Sequence, residues 1–186
     1  MTQFDYFDTL LAGLKIVQRK PLEDSRGFLS RFYCAAEFKA CGFNKPISQV
    51  NHTLTRQKGA VRGLHYQQPP HAEIKLVSCL KGEIFDVAVD LRKNSPTFLN
   101  WHGEVLSESN RRSLLIPEGF AHGFQTLTED CELIYIHTMP YVKEAEGALN
   151  VIDPRVGIKW PLETTDISER DRLHAMIKID FEGIVV

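Results

Sequence analysis

The chain has 186 residues, of which 43% are apolar and 25% are charged, and its formal net charge at pH 7 is -2. This length and composition are ordinary for a soluble globular protein, so we expect one domain that spans residues 1–186. The small net charge argues against nonspecific nucleic-acid binding, and the apolar runs are too short to cross a membrane, so we expect neither a nucleic-acid nor a membrane partner.

Two features of the sequence favour a cytoplasmic location. The segment from Met1 to Thr9 is polar and acidic and lacks the pattern of a signal peptide. The cysteines are scattered without CxxC spacing, which is more typical of reduced thiols than of a zinc site or a disulfide framework. They are Cys34, Cys41, Cys79 and Cys131.

The predicted elements begin with a short helix over Ala35–Ala40, which Gly42 ends. Four strands separated by turn residues follow, and a second helix begins near Ser168. Many short strands with regular turns favour an antiparallel sandwich or barrel. The predicted strands are Lys75–Leu80, Glu83–Leu91, Ser113–Ile116 and Glu132–Thr138.

His65 is the first candidate for chemistry, because histidine accepts and returns a proton near neutral pH. The structural alternative is a histidine whose ring bonds to the backbone inside a β-core. Gly63 lies two residues earlier, where a glycine in a strand often marks a bulge or a close approach of backbones. Arg62 and Lys75 place cations nearby, which a purely structural core would avoid.

The segment from Pro117 to Phe124 has a Pro-x-Gly-x-x-His pattern that resembles the second motif of cupins, which are double-stranded β-helix barrels. In metal-binding cupins the matching histidine, here His122, is a ligand beside a His-x-His pair and a glutamate. The first motif here reads His65-Tyr66-Gln67, so one histidine is absent, and His71 and Glu73 have a different spacing. A transition-metal site is therefore the weaker interpretation, and a turn with a structural histidine is the alternative.

Two residues on predicted strands have both a structural and a chemical interpretation. Lys75 shares a face with Val77 and Cys79, so it either extends to the rim or provides a fixed cation for a phosphate or an oxyanion. Tyr135 shares a face with Leu133 and His137. It is either an ordinary barrel residue or a proton donor that faces a substrate.

Three further polar residues also have both a structural and a functional interpretation. Asp171 follows Ser168 in a Ser-x-x-Asp pattern that is close to a helix capping box, and it is also a candidate carboxylate partner for His65. Arg26 and Arg62 can each hold a phosphate or form a surface ion pair.

Taken together, segments from about Leu14 to Arg172 resemble the dTDP-4-dehydrorhamnose 3,5-epimerase family of cupins. No single segment is decisive, but their order and spacing are highly specific. They are Asp24-x-Arg26-Gly27-Phe28, Gln49-Val50-Asn51-His52, Arg62 to Gln67, Lys75-Leu76-Val77, Asp86 to Arg92, Ser95-Pro96-Thr97, Pro117 to Phe124, Asp153-Pro154 and Trp160-Pro161.

The resemblance implies a jelly-roll cupin barrel with short N- and C-terminal helices that epimerises a nucleotide-linked 4-keto-6-deoxy sugar without a metal or a cofactor. His65 would remove a proton beside the C4 ketone, with Asp171 as its partner. Lys75 would stabilise the enolate oxygen, and Tyr135 would return a proton from the opposite face.

The resemblance also implies a binding site and an assembly. Tyr141 would lie near the sugar, and the family forms a homodimer in which N-terminal strands are exchanged. The residues implied to contact substrate or diphosphate are Arg26, Gln49, Asn51, Arg62, His122, Glu146 and Arg170.

Three departures from the family pattern concern the nucleotide end. Arg31 stands where the family has a glutamate used on the nucleotide side, Leu22 replaces an aromatic residue, and Val151-Ile152 replaces Trp-Asn/Asp. The base therefore stays open between thymine, cytosine and guanine, and epimerisation at only C3 or only C5 is an alternative. A metal-dependent cupin and a noncatalytic sugar-nucleotide-binding cupin are the remaining alternatives.

Overall fold

Two mainly antiparallel sheets of six strands dominate the fold in the computed structural model, which describes residues 2–186. With strands numbered along the chain, the first sheet has the order β1 (Phe4–Asp8), β2 (Lys15–Arg19), β10 (Arg112–Ile116), β7 (Lys75–Lys81), β12 (Cys131–His137) and β5 (Gln49–Thr55). The second has the order β13 (Glu146–Ala148), β6 (Ala60–Gln67), β11 (Phe120–Thr126), β8 (Glu83–Asp90) and β9 (Trp101–Ser107), and β14 (Asp166–Ile167) pairs with β6 in parallel.

The remaining elements are short. A two-stranded hairpin, β3 (Leu22–Asp24) and β4 (Gly27–Leu29), pairs with neither sheet among the described residues. Helix α1 spans Ala35–Lys39, a 3₁₀ helix spans Lys143–Ala145, and helix α2 spans Glu169–Arg172. Within residues 2–186, no helix has the length and apolar character needed to cross a membrane.

The predicted elements are confirmed with small shifts at their ends. All four predicted strands are present as β7, β8, β10 and β12, and both predicted helices are present as α1 and α2. The predicted antiparallel barrel is also confirmed, since the two sheets face each other across a common core. All four cysteines are free thiols, as predicted, and three of them are buried.

The central core occupies part of the space between the sheets. Complete burial of a leucine or phenylalanine side chain contributes roughly 1.5–3 kcal/mol, so this layer supplies much of the driving force for folding. It draws Val77, Leu114 and Leu133 from the first sheet and Ile84, Leu106 and Phe124 from the second.

Strand β8 is largely buried on both faces, which explains why apolar residues lie on both of them. Ile84 and Ala88 point into the central core, whereas Val87 and Val89 belong to a second cluster on the outer face of the second sheet. The C-terminal segment covers that outer face with side chains that include Leu149. As a result, the C-terminal segment packs so that α2 contacts β6, the strand that carries His65.

The Asp90 carboxylate organises the turn after β8. Its Oδ1 accepts hydrogen bonds from the backbone N–H and the Nε of Arg92 at 3.0 and 2.9 Å. Its Oδ2 accepts from the hydroxyls of Ser95 and Thr97 at 2.6 and 2.7 Å. Burial alone would raise the pKa of Asp90, but these contacts outweigh burial and lower the pKa to about 2. The Asp90-to-Arg92 and Ser95-to-Thr97 motifs therefore stabilise the fold.

Asp90→Asn is expected to lower the free energy of unfolding by about 2 kcal/mol at pH 7, because each unit of pKa difference corresponds to about 1.4 kcal/mol. The folded-state pKa lies below the ordinary value of 3.8. The stabilisation is therefore complete above pH 4 and is lost as the pH falls toward 2. Urea denaturation across this range measures the difference between the wild-type protein and the variant.

Glu182→Gln is the matched control, because Glu182 forms an ion pair with Lys93 in which both side chains are exposed. Exposed pairs contribute roughly 0–1 kcal/mol, so this variant should unfold almost as the wild-type protein does. An Asp90→Asn deficit that is equally large at pH 2 and pH 7 would contradict the assigned role of the carboxylate.

Candidate active site

A cavity of about 1050 Å³ lies between the sheets and is lined by strands of both. Its volume is at the upper end of the range of roughly 300–1,000 Å³ that is usual for small-molecule sites. All the predicted site residues line it except Arg26 and Arg31. Those that do are Gln49, Asn51, Arg62, His65, Lys75, His122, Tyr135, Tyr141, Glu146, Arg170 and Asp171.

His65 and Asp171 form a hydrogen-bonded pair although 106 residues separate them in the sequence. His65 Nε2 lies 2.9 Å from Asp171 Oδ1, and the carboxylate is buried while the imidazole is partly accessible from the cavity. Burial opposes ionisation of Asp171, but the hydrogen bond and charge of His65 outweigh it and hold the pKa of that carboxyl well below its usual range. An ionised Asp171 keeps the proton of the neutral imidazole on Nε2 and leaves Nδ1 as the basic nitrogen.

A bulge in β6 at Gly63 builds this pair. Residues 62 and 65 of β6 pair with residues 124 and 122 of β11, so β6 contains one extra residue. Gly63 has a φ of +131°, and a Cβ there would lie 2.6 Å from the Cα of Gly123. The N–H of Gly63 donates to Asp171 Oδ2 at 3.3 Å. The predicted bulge and close backbone approach are both confirmed.

Helix α2 places Asp171 through its N-terminal cap. The Ser168 hydroxyl accepts a hydrogen bond from the backbone N–H of Asp171 at 3.1 Å, as in a capping box. The Asp171 carboxylate bonds to His65 and Gly63. The capping interpretation and the partner interpretation are therefore both correct, because the backbone and the side chain of Asp171 serve different contacts.

Lys75 begins β7 and is held inside the cavity wall. Its side chain is only 10% exposed, so it does not extend to the rim. Its Nζ lies 3.2 Å from Glu73 Oε1 and 3.4 Å from the carbonyl oxygen of His65. The ammonium group is thus fixed beside the strand that carries the candidate base.

Tyr135 lies between two histidine rings on the cavity wall. Its ring is stacked on His137, with centroids 6.0 Å apart, and contacts His122 edge-on at 5.9 Å. Burial, followed by the nearby charge of Asp86, raises the pKa of Tyr135 well above its usual range. The phenol therefore keeps its proton at neutral pH and would give it up only to a strongly basic acceptor.

A buried histidine–carboxylate pair lies behind Tyr135. His122 Nε2 is 2.7 Å from Asp86 Oδ1, and both side chains are almost fully buried. Burial raises the pKa of Asp86, although the neighbouring His122 opposes that shift. The His122 ring faces the cavity, as the predicted contact with substrate requires, and its orientation is fixed by Asp86.

Polar side chains form a network at one end of the cavity. The Tyr141 hydroxyl donates to Glu146 Oε2 at 3.1 Å, and Arg170 Nη1 lies 3.4 Å from Glu146 Oε1. Gln49 Oε1 accepts a hydrogen bond from the backbone N–H of Tyr141 at 2.9 Å, and Gln49 Nε2 donates to Asn51. These five predicted residues are thus brought together beside the His65–Asp171 pair.

Arg62 is a cation on the cavity wall with no carboxylate partner within 4.0 Å among residues 2–186. Its Nη2 donates only a long hydrogen bond of 3.4 Å, to the carbonyl oxygen of Leu54. The guanidinium group is therefore available to an anionic ligand.

Arg26 and Arg31 lie outside the cavity of this chain. Arg26 is in the β3–β4 hairpin, where its exposed guanidinium pairs with Asp24 at 2.6 Å. Arg31 Nη1 pairs with Glu37 Oε1 of α1 at 3.0 Å. Their predicted contacts with substrate stay predictions, because nothing in a single chain brings these two residues to the site.

Sequence reasoning missed two partners of the site residues. Glu73 was considered only as a metal ligand, but it binds Lys75 and His137. His174 was not considered at all, although its Nε2 lies 3.5 Å from Asp171 Oδ1. A carboxylate two residues before Lys75 on the same face is the signal that identifies Glu73. His174 lies three residues after Asp171, and its position beyond the short helix α2 has no comparable pattern.

The metal ligands suggested by the cupin motifs are not gathered. His122 and Glu73 are bound to Asp86 and His137 instead. Among residues 2–186, the group of three whose ligand atoms lie within 4.8 Å of one another is His65, Asp171 and His174. The guanidinium Nη2 of Arg170 lies 3.2 Å from His65 Nε2, so a positive charge is already present there.

Comparison with known proteins gives consistent matches along the chain. A family model described as dTDP-4-dehydrorhamnose 3,5-epimerase matches residues 8–178. An epimerase of that name from Methanothermobacter thermautotrophicus is 42% identical over 175 residues, which cover 92% of this chain and 94% of that protein.

Solved structures confirm the predicted cupin-like fold class. The dTDP-4-dehydrorhamnose 3,5-epimerase from Bacillus anthracis, with TDP and PPi bound, is similar with a TM-score of 0.90 at 34% identity, covering 94% of this chain and 99% of that one. The dTDP-6-deoxy-D-glucose-3,5-epimerase from Legionella pneumophila, in complex with dTDP-4-keto-L-rhamnose, has a TM-score of 0.88 at 39% identity, covering 93% and 92%.

Proposed function

The chain belongs to the dTDP-4-dehydrorhamnose 3,5-epimerase family, and we propose that it is an isomerase that epimerises a nucleotide-linked 4-keto-6-deoxy sugar. The reaction is of the type that converts dTDP-4-dehydro-6-deoxyglucose to dTDP-4-dehydrorhamnose. The observation that carries the proposal is the hydrogen-bonded His65–Asp171 pair in one cavity with Lys75 and Tyr135.

The proposed chemistry uses proton transfers alone. A C4 ketone acidifies the protons at C3 and C5, so His65, oriented by Asp171, removes one of them as a general base. The enolate oxygen that forms is stabilised by the ammonium group of Lys75. Tyr135 then donates a proton to the opposite face of the carbon, which inverts the centre. No electrons leave the substrate, so the chemistry needs no redox cofactor, and Lys75 supplies the positive charge that stabilises the enolate.

The charges of the cavity support an anionic nucleotide sugar as the substrate. Arg62 has no carboxylate partner among the described residues, and its planar guanidinium suits the oxygens of a diphosphate. Arg170 lies next to the dyad and contacts Glu146 only at 3.4 Å or more. Arg62 and Arg170 therefore bind the diphosphate beside the catalytic residues.

The proposal is tested by incubating the wild-type protein with dTDP-4-dehydro-6-deoxyglucose in heavy water. Deuterium is expected at both C3 and C5, together with the inverted product. Binding without exchange would favour the noncatalytic cupin, and exchange that depends on a stoichiometric metal would favour the metal-dependent one. Deuterium at one carbon alone would instead identify a C3-only or C5-only epimerase.

One observation concerns the nucleotide base and favours an alternative to thymine. Arg31 replaces a glutamate that the resemblance assigns to the nucleotide side, and it pairs with Glu37 away from the cavity. A ligand that binds the native state raises its apparent stability, so thermal shifts with dTDP, CDP, GDP and UDP rank the bases. We expect dTDP to stabilise the protein without strong preference over CDP or GDP. Stabilisation by dTDP alone would contradict this expectation.

A homodimer is the second part of the proposal. Leu22, Phe28 and Leu29 of the hairpin are 58%, 63% and 69% exposed, and β5 is an edge strand on which Val50 is 54% exposed. A second copy that pairs its hairpin with this edge would cover the apolar groups and bring Arg26 toward the partner's cavity. Light scattering should give twice the mass of the 186-residue chain, and a single-chain mass would contradict the dimer.

A cytoplasmic location is proposed on the state of the cysteines. All four are free, and Cys41, Cys79 and Cys131 are buried as thiols. Free buried thiols are typical of reducing compartments. Fractionation of cells that produce the protein tests the location.

A further inference from the structure

Glu73 and His137 form another carboxylate–histidine pair that lines the cavity. Glu73 Oε2 lies 2.7 Å from His137 Nδ1, and Glu73 Oε1 lies 3.2 Å from Lys75 Nζ. The three side chains are between 9% and 11% exposed. Glu73 therefore joins the ammonium group to the histidine on which Tyr135 is stacked.

We propose that Glu73 and His137 position Lys75 and Tyr135 for the proton-return half of the reaction. The proposal rests on the epimerase function described above. It makes Glu73 and His137 positioning residues, because they act through the two groups that contact the reacting atoms.

The hydrogen bonds around His137 fix its ring. His137 Nδ1 donates to Glu73, so Nε2 is an acceptor and faces the amide of Asn51 at 3.5 Å. Asn51 cannot easily turn its oxygen toward His137, because that oxygen already accepts a hydrogen bond from Gln49 at 3.0 Å. The imidazole is thereby held in one tautomer and one plane, and Tyr135 lies nearly parallel to it at an angle of 16°.

The position of Lys75 depends on Glu73. Lysine has a flexible four-carbon stem with a compact charge at its end, so it needs a partner to hold the charge at one point. Among residues 2–186, Glu73 is the carboxylate within 4.0 Å of Lys75 Nζ. Burial would by itself raise the pKa of Glu73, but the hydrogen bond with His137 and the charge of Lys75 lower it. Glu73 is therefore an anion that holds the ammonium group.

The register of the sheet explains why these groups meet. Residue 137 of β12 is directly opposite residue 75 at the start of β7. Tyr135 is two positions earlier on β12, so its side chain emerges on the same face as that of His137. Glu73 precedes β7 by two residues and reaches both groups from the end of the strand.

Glu73→Gln is the central test, because the amide keeps the size of the side chain and removes its charge. We expect kcat for exchange at C3 and C5 to fall by about 30-fold while KM changes less than about threefold, since removal of an entire oxyanion donor costs about 10²–10³ in kcat. Glu73→Asp should recover part of the lost kcat, because it restores the negative charge. His137→Phe keeps an aromatic ring beside Tyr135 and should still lower kcat, since it removes the donor to Glu73.

The chain provides a matched control on β12, which also carries His137, and on the neighbouring strand β5. His52 of β5 and Glu132 of β12 form an equivalent pair at 2.9 Å, but both are more exposed and neither lines the cavity. Glu132→Gln should leave kcat and KM within about twofold of the wild-type values. Melting temperatures and dTDP binding of all variants show whether they are folded.

The outcomes separate this inference from the proposed function. If the wild-type protein catalyses exchange but Glu73→Gln matches Glu132→Gln, the positioning role is wrong and the epimerase function stands. A folded Glu73→Gln variant whose defect lies entirely in KM would also overturn the role. If the wild-type protein catalyses no exchange, the proposed function fails and this inference fails with it.

Discussion

His65→Ala is expected to abolish exchange of solvent deuterium into C3 and C5, with kcat at least about 10³-fold below that of the wild-type protein. A general base contributes typically 10²–10⁴-fold. Among the histidines that line the described cavity, His65 has the most exposed side chain, at 26%. His122 is buried against Asp86, and His137 is bound to Glu73. Time-resolved NMR in heavy water measures the exchange at each carbon.

Two companion variants make the His65 result specific. Asp171→Asn should reduce exchange less than His65→Ala, since the imidazole stays but loses the anion that sets its tautomer and stabilises its protonated form. His52→Ala removes an exposed histidine outside the cavity and should have no effect. Exchange by His65→Ala at more than a tenth of the wild-type rate would contradict the assignment of the base.

The loss of exchange should not come from loss of the fold. The side chain of His65 is 26% exposed and faces the cavity, whereas the neighbouring Leu64 is completely buried. The bulge that shapes this part of β6 depends on Gly63, which the variant retains. His65→Ala is therefore expected to melt close to the wild-type temperature and to retain dTDP binding.

Local patterns were sufficient to predict the framework of the fold. Strand β8 could be located because its residues alternate between two faces and turn residues bound it, and α2 because Ser168 begins a capping pattern. Gly63 indicated a bulge, since a glycine within a strand often marks one. These features depend on a few neighbouring residues, and the sequence contains them directly.

The contacts within the site depend on how distant segments meet, and the sequence alone did not contain that information. His65 and Asp171 were both named as candidates, but the contact between them is set by the packing of α2 against β6. The Glu73–His137 hydrogen bond depends on the register between β7 and β12, which a shift of one residue would break. Arg26 and Arg31 lie outside the cavity of the single chain, so their predicted contacts with substrate stay predictions.

The proposed reaction needs a base and an acid on opposite faces of the substrate carbon, and this requirement can be tested directly. The proton taken by His65 can return to the same face and regenerate the starting sugar, so inversion needs a different donor. Burial and the charge of Asp86 raise the pKa of Tyr135, so its phenol stays protonated at neutral pH, and an enolate carbon is basic enough to take that proton. Exchange and inversion are therefore expected to depend on different residues, and a variant of the acid should separate them.

Tyr135→Phe is expected to lower formation of the inverted product by at least about 10³-fold while exchange at the same carbon falls less than about tenfold. The phenyl ring keeps the stacking on His137 and the edge contact with His122, so the loss is confined to the hydroxyl. The readout is the ratio of inverted product to deuterium incorporated, measured by NMR on the same sample. Tyr141→Phe is the control, since Tyr141 also lines the cavity but is 52% exposed and donates to Glu146. If Tyr141→Phe blocks inversion and Tyr135→Phe does not, Tyr141 is the acid and the face assigned to Tyr135 is wrong.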